Sequence, residues 1–447
     1  MRSFKPYPAY RDSGVEWLGQ IPSHWDVRRL KTIASVQLSN VDKKSVEGQE
    51  PVRLCNYVDV YYNDRITPDL TFMAATATPE QVRRFSLHAG DVLITKDSES
   101  WTDIAVPAVV SSDLPDVLCG YHLALVRPAF ECAGAFLGRV FSAIGPRDQF
   151  QIVANGITRF GLGGDAIRTG LFAIPPAREQ HAIAAFLDRE TTRIDALVAK
   201  KERLIDLLEE KRTSLITQAV TKGLEPDVPM KDSGVEWLGT IPAHWDLAPV
   251  YSRYEVALGK MLDAKRVTRE NSGAYLRNVD VQWDRVNVEG LPEMDFAPWE
   301  RDRYQLRPGD LLVCEGGEVG RTAVWLGAIN ECFYQKAIHR LRPRSERDIP
   351  RFLYYLMYSL AKRGVFVAGG NPNTIDHLTA VKLRRYRLPF APGAEQCNIV
   401  AFLDRETARI DALVAKMRDA IDRLRELRTA LISAAVVGKI DVREEMS

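Results

Sequence analysis

Several features that would fix a function early are missing from this chain of 447 residues. Its most apolar stretch, Phe352 to Gly370, is broken by Lys362 and Arg363. It therefore falls short of the roughly 20 consecutive apolar residues a membrane helix needs. The opening segment, MRSFKPYPAY, has no apolar core of the kind that marks a secretory signal. Six cysteines (Cys55, Cys119, Cys132, Cys314, Cys332 and Cys397) are scattered without a CxxC pair. That spacing excludes the usual zinc and redox signatures and leaves reduced thiols in a cytoplasm as the expectation. Charge of one sign is also missing, since 60 Lys and Arg stand against 59 Asp and Glu. What the composition does supply is core material: 46% hydrophobic and 27% charged residues exclude a disordered or fibrous chain.

Catalytic motifs are absent as well. The sequence holds no GxxxxGK[ST] phosphate loop, no GxGxxG, no HExxH and no GxSxG. No Asn/Asp-Pro-Pro-Tyr-like segment of an amino-methyltransferase occurs, and Asn371-Pro-Asn-Thr374 is not one. His24 and His244 precede Trp25 and Trp245 at equivalent places, which reads as a packed, hydrogen-bonded joint. Asp404 and Glu406 flank Arg405 on a helical stretch, as on a solvated face. The expectation is a chain that is not itself an enzyme and holds no metal.

What is present is a repeat. DSGVEWLGQIPSHWD at Asp12–Asp26 returns as DSGVEWLGTIPAHWD at Asp232–Asp246, matching at 13 of 15 positions. AFLDRETTRIDALVAK at Ala185–Lys200 returns at Ala401–Lys416 with one change, Thr192 against Ala408. A unit of about 220 residues is thus written twice, far too long for a solenoid period. A pseudo-two-fold arrangement is its natural packing. Between the matched blocks the copies diverge and share only landmarks. Asn56–Val60 resembles Asn278–Val281, Gly90–Ile94 resembles Gly309–Val313, and Arg127-Pro128 resembles Arg342-Pro343. Near-identical joints with divergent bodies suit one frame carrying two recognition surfaces. About 23 basic against 17 acidic residues in Pro249–Pro392 fit nucleic-acid binding, whereas Arg28–Pro176 is balanced at about 15 against 16.

The second matched block opens a long amphipathic helix in each copy. Leu403, Ile410, Met417, Leu424 and Leu431 recur every seven residues, with Leu413, Ala420 and Leu427 three positions further on. The first copy has Leu187, Ile194, Leu208 and Leu215 with Leu197 and Leu204, interrupted by Lys201 and Lys211. Such a heptad stripe requires a partner helix, and duplication favours antiparallel pairing of the two. Gly223, Pro226 and Pro229 end the first helix, and Gly438 ends the second. Val92–Ile94, His122–Val126, Leu311–Val313 and Ala337–Leu341 read as strands. Ala135–Ile144 and Phe352–Ala361 read as helices, so the bodies are mixed α/β (α+β). The expected divisions are a first body at 1–176, a first helix at 177–222 and a linker at 223–231. A second body at 232–392, a second helix at 393–437 and a tail at 438–447 follow.

These blocks resemble the specificity subunit of type I DNA restriction–modification systems. SGVEWLGxIPxHW at Ser13–Trp25 and Ser233–Trp245 carries the resemblance. EQxxIxxFLDxET at Glu179–Thr191 and Glu395–Thr407 carries it too, and the four blocks span essentially the whole chain. The resemblance implies that each body is a target recognition domain reading one half of a bipartite, asymmetric site in double-stranded DNA. It implies that the paired helices fix the spacer and dock two modification subunits, which bind S-adenosylmethionine and methylate adenine. Restriction subunits using ATP and Mg2+ would join the same phage-defence complex, with no catalytic residue on this chain.

Base edges are read by bidentate donors, and phosphate contacts position the reader. Polar and basic residues beside the landmarks are therefore the DNA-contact candidates. They are Lys43, Lys44, Arg53, Asn56, Tyr57, Lys96, Asn155, Thr158 and Arg159 in the first body. In the second they are Lys260, Arg277, Asn278, Arg321, Gln335, Lys336, Asn371, Asn373 and Thr374. Asp59 and Asp280 are expected to brace neighbouring arginines. Leu187, Ile194, Leu197, Leu204, Leu208, Leu403, Ile410, Leu413, Leu424 and Leu427 are the coiled-coil and subunit-docking candidates. Two other readings fit the repeat. One is a specificity subunit whose partner fuses methylation and cleavage. The other is a protein scaffold, for which segments such as Leu291–Trp299 would suit.

Overall fold

The computed structural model describes residues 4–130, 132–261, 270–367 and 377–443. The chain divides into two compact units, Met1–Lys201 with Arg418–Ser447, and Glu202–Met417. Each long helix is shared between them. The first runs Ala177–Lys222 and the second Gly393–Val436.

In the first unit a five-stranded sheet has the order Ala34–Leu38, Leu123–Pro128, Val92–Thr95, Pro107–Val110, Arg65–Ile66. Its middle strand is buried throughout, as expected of a short Val/Leu/Ile run covered on both faces. One cover is the helix Gly134–Ser142. The other is a four-stranded sheet, Met73–Ala77, Glu50–Cys55, Leu114–Cys119, Ser86–Leu87, whose apolar core includes Leu93 and Leu125. The second unit repeats the plan with fewer strands. Tyr254–Leu258, Ile338–Pro343, Leu311–Cys314 and Thr322–Val324 form its main sheet. Glu293–Asp295, Ser272–Leu276 and Phe333–Tyr334 form the smaller one, and Pro350–Lys362 is the covering helix. The strand and helix expectations thus fall on the observed elements, and the mixed α+β class holds.

The landmarks turn out to be internal clamps. Asp91, almost wholly buried, accepts two hydrogen bonds from the Arg127 guanidinium at 2.9 and 2.8 Å. Asp310, equally buried, accepts two from Arg342 at 2.7 Å. A buried carboxylate needs such a bidentate partner to offset its desolvation. The same clamp, made once in each copy, explains why Gly-Asp and Arg-Pro are shared where the rest diverges.

The repeated joints are equally specific. In the first unit the Glu179 carboxylate, at the positive N-terminal end of its helix, accepts from Trp25 Nε1 at 3.0 Å and Tyr7 OH at 2.5 Å. It also pairs with His24 Nε2 at 2.9 Å. In the second, Glu395 binds Trp245 Nε1 at 3.0 Å and His244 Nε2 at 2.8 Å. Both tryptophans are fully buried. Gly223 and Gly438 end the helices at φ +80° and +75°, the left-handed cap conformation that glycine adopts without steric cost.

The helix seam follows the seven-residue repeat but differs in its companion positions. Leu187, Ile194, Leu403 and Ile410 are buried, and Leu208, Leu424 and Leu427 are half-buried. Leu197, Leu204 and Leu413, expected in the seam, are 41%, 42% and 38% exposed. The companion residues lie four positions on instead of three: Thr191, Val198, Ile205 and Arg212, repeated as Thr407, Val414, Ile421 and Arg428. Positions three and four residues away flank the same stripe, so the packing partner decides which side is covered. Pairing is antiparallel within each unit. Arg428 binds Asp195 at 3.0 Å in the first, and Arg212 binds Asp411 at 3.1 Å in the second.

Candidate nucleic-acid interfaces

In each body the strand that follows the Gly-Asp turn ends where the candidate residues gather. Lys96 donates its backbone N–H to His122 O at 3.0 Å and accepts from Leu162 N at 2.8 Å. Glu315 does the same with Ala337 O at 3.0 Å and Leu378 N at 2.8 Å. Lys96 and Glu315 therefore occupy one framework position with opposite charge. The loops leaving them close at Ala105 and Gly320, both with positive φ, of 60° and 81°. The first loop is longer and carries Trp101, which is 51% exposed; the second is glycine-rich, Glu315-Gly-Gly-Glu318. Bare backbone of that kind allows a ligand to approach closely.

The first body brings most of its candidates together. Asp97–Ser98 pairs as a short strand with Phe160–Gly161, and Asn155 bridges Gly161. This places the exposed segment Asn155–Arg159, with Thr158 on it, beside Lys96. Tyr57 stacks on Tyr61 with ring centroids 5.4 Å apart and hydrogen-bonds Ser98 Oγ at 3.2 Å. Arg159 lies 3.0 Å from His122 Nδ1, and burial with this neighbouring cation pushes the imidazole pKa down against the pull of Asp97. Tyr121 donates its N–H to Val41 O, which brings the loop carrying exposed Lys43 and Lys44 to the same surface. Lys44 pairs with Asp42 at 3.5 Å. Two candidates have internal duties. Lys96 is buried, with its ammonium 2.7 Å from Asp97 and over the Tyr121 ring. Asn56 caps the helix Tyr57–Tyr61, where Asp59 accepts its N–H at 2.7 Å. Asp59 thus braces backbone rather than an arginine. Arg53 sits apart, on the smaller sheet, held by Asp116 at 2.7 and 3.0 Å.

In the second body Lys260, Gln335 and Lys336 are tied through backbone, since Lys260 bridges Gln335 and accepts from Lys336 N at 2.9 Å. Gln335 N reaches Leu276 O, next to Arg277 and Asn278. The Lys260 ammonium is occupied by Glu300 and by Asp295 O at 2.7 Å. Arg277 forks onto Asp280 at 2.9 and 2.8 Å, as expected of a bracing carboxylate. Burial pushes the Asp280 pKa up, but these bonds outweigh it and hold the group below its ordinary value. Asn278 donates to Gly316 O at 2.8 Å, and Arg321 donates to Asn278 O at 2.9 Å. Lys336 is exposed. Asn371, Asn373 and Thr374 lie outside the described residues.

Exposed Trp101 and Tyr121, and half-buried His122 and Glu315, belong to these faces and were missed by the sequence reasoning. A search restricted to basic and amide side chains passes over them. The framework position after each Gly-Asp turn was the signal that could have found Glu315. Among the described residues no helix is long and apolar enough to cross a membrane.

Residues 295–423 match the family model described as the type I restriction modification DNA specificity domain. The specificity subunit of the type I restriction enzyme EcoKI from Escherichia coli K12 is 20% identical over 445 residues, covering 94% of this chain and 90% of its own. A solved chain from work on assembly and conformational transition of the type I R-M system superposes with a TM-score of 0.73 at 17% identity. It covers 94% of this chain and 99% of its own. The HsdS subunit of Thermoanaerobacter tengcongensis superposes with a TM-score of 0.55 at 17% identity, over 94% of this chain and 98% of its own. These likenesses join the duplicated joints, paired helices and divergent bodies in one conclusion: along nearly its whole length the chain is similar to the specificity subunits of type I restriction–modification systems.

Proposed function

We propose that this chain is the DNA-reading subunit of a type I restriction–modification complex in the cytoplasm, without catalysis of its own. Each body reads one half of a split, asymmetric site. The number of residues in the long helices sets the unspecified spacer between the halves. Two modification subunits dock on the chain, and restriction subunits complete the assembly. S-adenosylmethionine, ATP and Mg2+ act on those partners.

The observation that carries this reading is the exchange of Lys96 for Glu315 on the same hydrogen-bonded frame. Here the joints and clamps are alike, while the exposed loops differ in length, charge and aromatic content. Two unlike readers on one frame produce two unlike half-sites. The test is long-read mapping of methylated adenine in cells co-expressing this chain with its adjacent modification subunit. A split motif with two different halves and a fixed gap, absent without this chain, is the expected result. Co-purification of the two proteins without any such motif would overturn the reading.

A further inference from the structure

Among the exposed apolar side chains of the first body, one stands at the tip of a candidate DNA-contact segment. Ile157 is 97% exposed at the tip of the segment Asn155–Arg159. The segment is closed behind it by backbone hydrogen bonds. Asn155 and Gly161 exchange backbone hydrogen bonds at 3.1 and 2.8 Å. Gly156, at φ +151°, lies so close to Arg159 that a Cβ there would stand 1.8 Å from its carbonyl oxygen. The tip is held, and the side chain on it has nothing of its own unit to pack on.

Its neighbours name the kind of surface it meets. Asn155, Thr158 and Arg159 supply donors and one cation, and the segment carries no carboxylate. The adjoining turn, joined by the Gln151 Nε2 bond to Thr102 O at 2.8 Å, presents Trp101. Ile152, at the end of the preceding helix, is also exposed. An isolated exposed apolar residue needs no explanation. An apolar tip on a closed loop, next in sequence to hydrogen-bond donors and a cation, does. Such a tip suits a duplex groove, where branched aliphatic side chains enter between base steps and kink the helix.

We infer that Ile157 is a wedge: it enters the DNA of the first body's half-site, contacts or partly unstacks a base step, and bends the duplex there. This rests on the DNA-reading function proposed above. Insertion converts an exposed aliphatic side chain into a buried one, and Arg159 anchors the neighbouring phosphate.

The test uses the full chain with its modification partner and a duplex bearing the mapped split motif, with dyes at its two ends for energy transfer. Ile157→Ala should bind at least about tenfold more weakly, the loss expected for withdrawing most of a buried aliphatic side chain. It should leave the salt dependence unchanged and reduce the bend. Ile157→Leu should restore both affinity and bend. That rescue also separates insertion from any effect of the alanine on folding. Leu326→Ala, which removes an apolar side chain 81% exposed on the other body, should behave as wild type. Ile157→Ala with wild-type affinity and bend would overturn the wedge while leaving DNA reading intact. Affinity lost with the bend unchanged would overturn it too, as a surface contact without insertion. A wild-type complex that binds the motif duplex no better than a scrambled one would remove both the wedge and the reading beneath it.

Discussion

The two bodies are the same machine in their buried polar groups and different machines on their surfaces. Asp91 with Arg127 and Asp310 with Arg342 form matching clamps. By contrast, His122 faces the first loop where the second body has Ala337, and Lys96 stands where it has Glu315. The helix seams differ in the same manner. In the first unit Arg428 reaches both Asp195 and Asp64. In the second, Arg212 binds Asp411 and lies over Tyr358, while Asp284 is taken by Arg351. A groove of about 1340 Å³ lined by Arg212, Trp283, Tyr354, Tyr358 and Lys362 is left open there. Frame and reader have evidently been free to change separately. Removing one member of a buried ion pair costs several kcal/mol, whereas an exposed loop change costs little.

The largest test of that separation is an exchange of bodies. Replacing Val27–Pro176 with the corresponding segment of a similar specificity subunit should change one half of the methylated motif and leave the other intact. Changes in both halves would break the comparison. Next come the joints. Glu179→Ala strands Trp25, Tyr7 and His24 and should destabilise the first unit by about 3 kcal/mol. Glu395→Ala strands only Trp245 and His244 in a more open joint and should cost about 1 kcal/mol. Equal shifts in the two proteins' denaturation midpoints would show that the joints are not graded in this way.

The framework position comes next. Glu315→Lys should alter preference at one base pair of the second half-site only, by about 1–3 kcal/mol, read from motif variants in a binding competition. Loss of first-half specificity would show that the loops are coupled. The smallest concerns acid. His339 is wholly buried in the second body, where the first has Ala124. Burial pushes its pKa down, against its hydrogen bond to Leu378 O. The neutral ring is therefore favoured in the fold, and its stabilisation is complete above the unfolded value of about 6.5. It is lost as pH falls from there through the lowered folded value, at no more than about 1.4 kcal/mol per pH unit. His339→Leu should flatten that slope in pH-dependent denaturation. An unchanged slope would assign it to other groups.

Much of the frame was legible because it rests on local or repeated chemistry. A Gly-Asp turn before an apolar run reads as a strand start. Leu403 and Ile410 read as a seam, and His24-Trp25 as a joint. Leu197, Leu204 and Leu413 were misplaced because helical periodicity alone does not choose between companions three and four residues away. Lys260 looks like a free cation in sequence and is held by Glu300, which lies far from it along the chain. Such long-range pairings leave no local trace.

The sequence by itself determined that one unit is written twice, that its helices carry a heptad stripe, and that its bodies diverge. Those properties are periodicities and identities along the chain. Only the tertiary structure decided which charges are spent internally and which face outward. It set Lys96 and Glu315 on one framework position and left Ile157 exposed on a closed loop. Hydrogen-bond partners and burial depend on segments distant in sequence, so they exist only once the sheets and loops have come together.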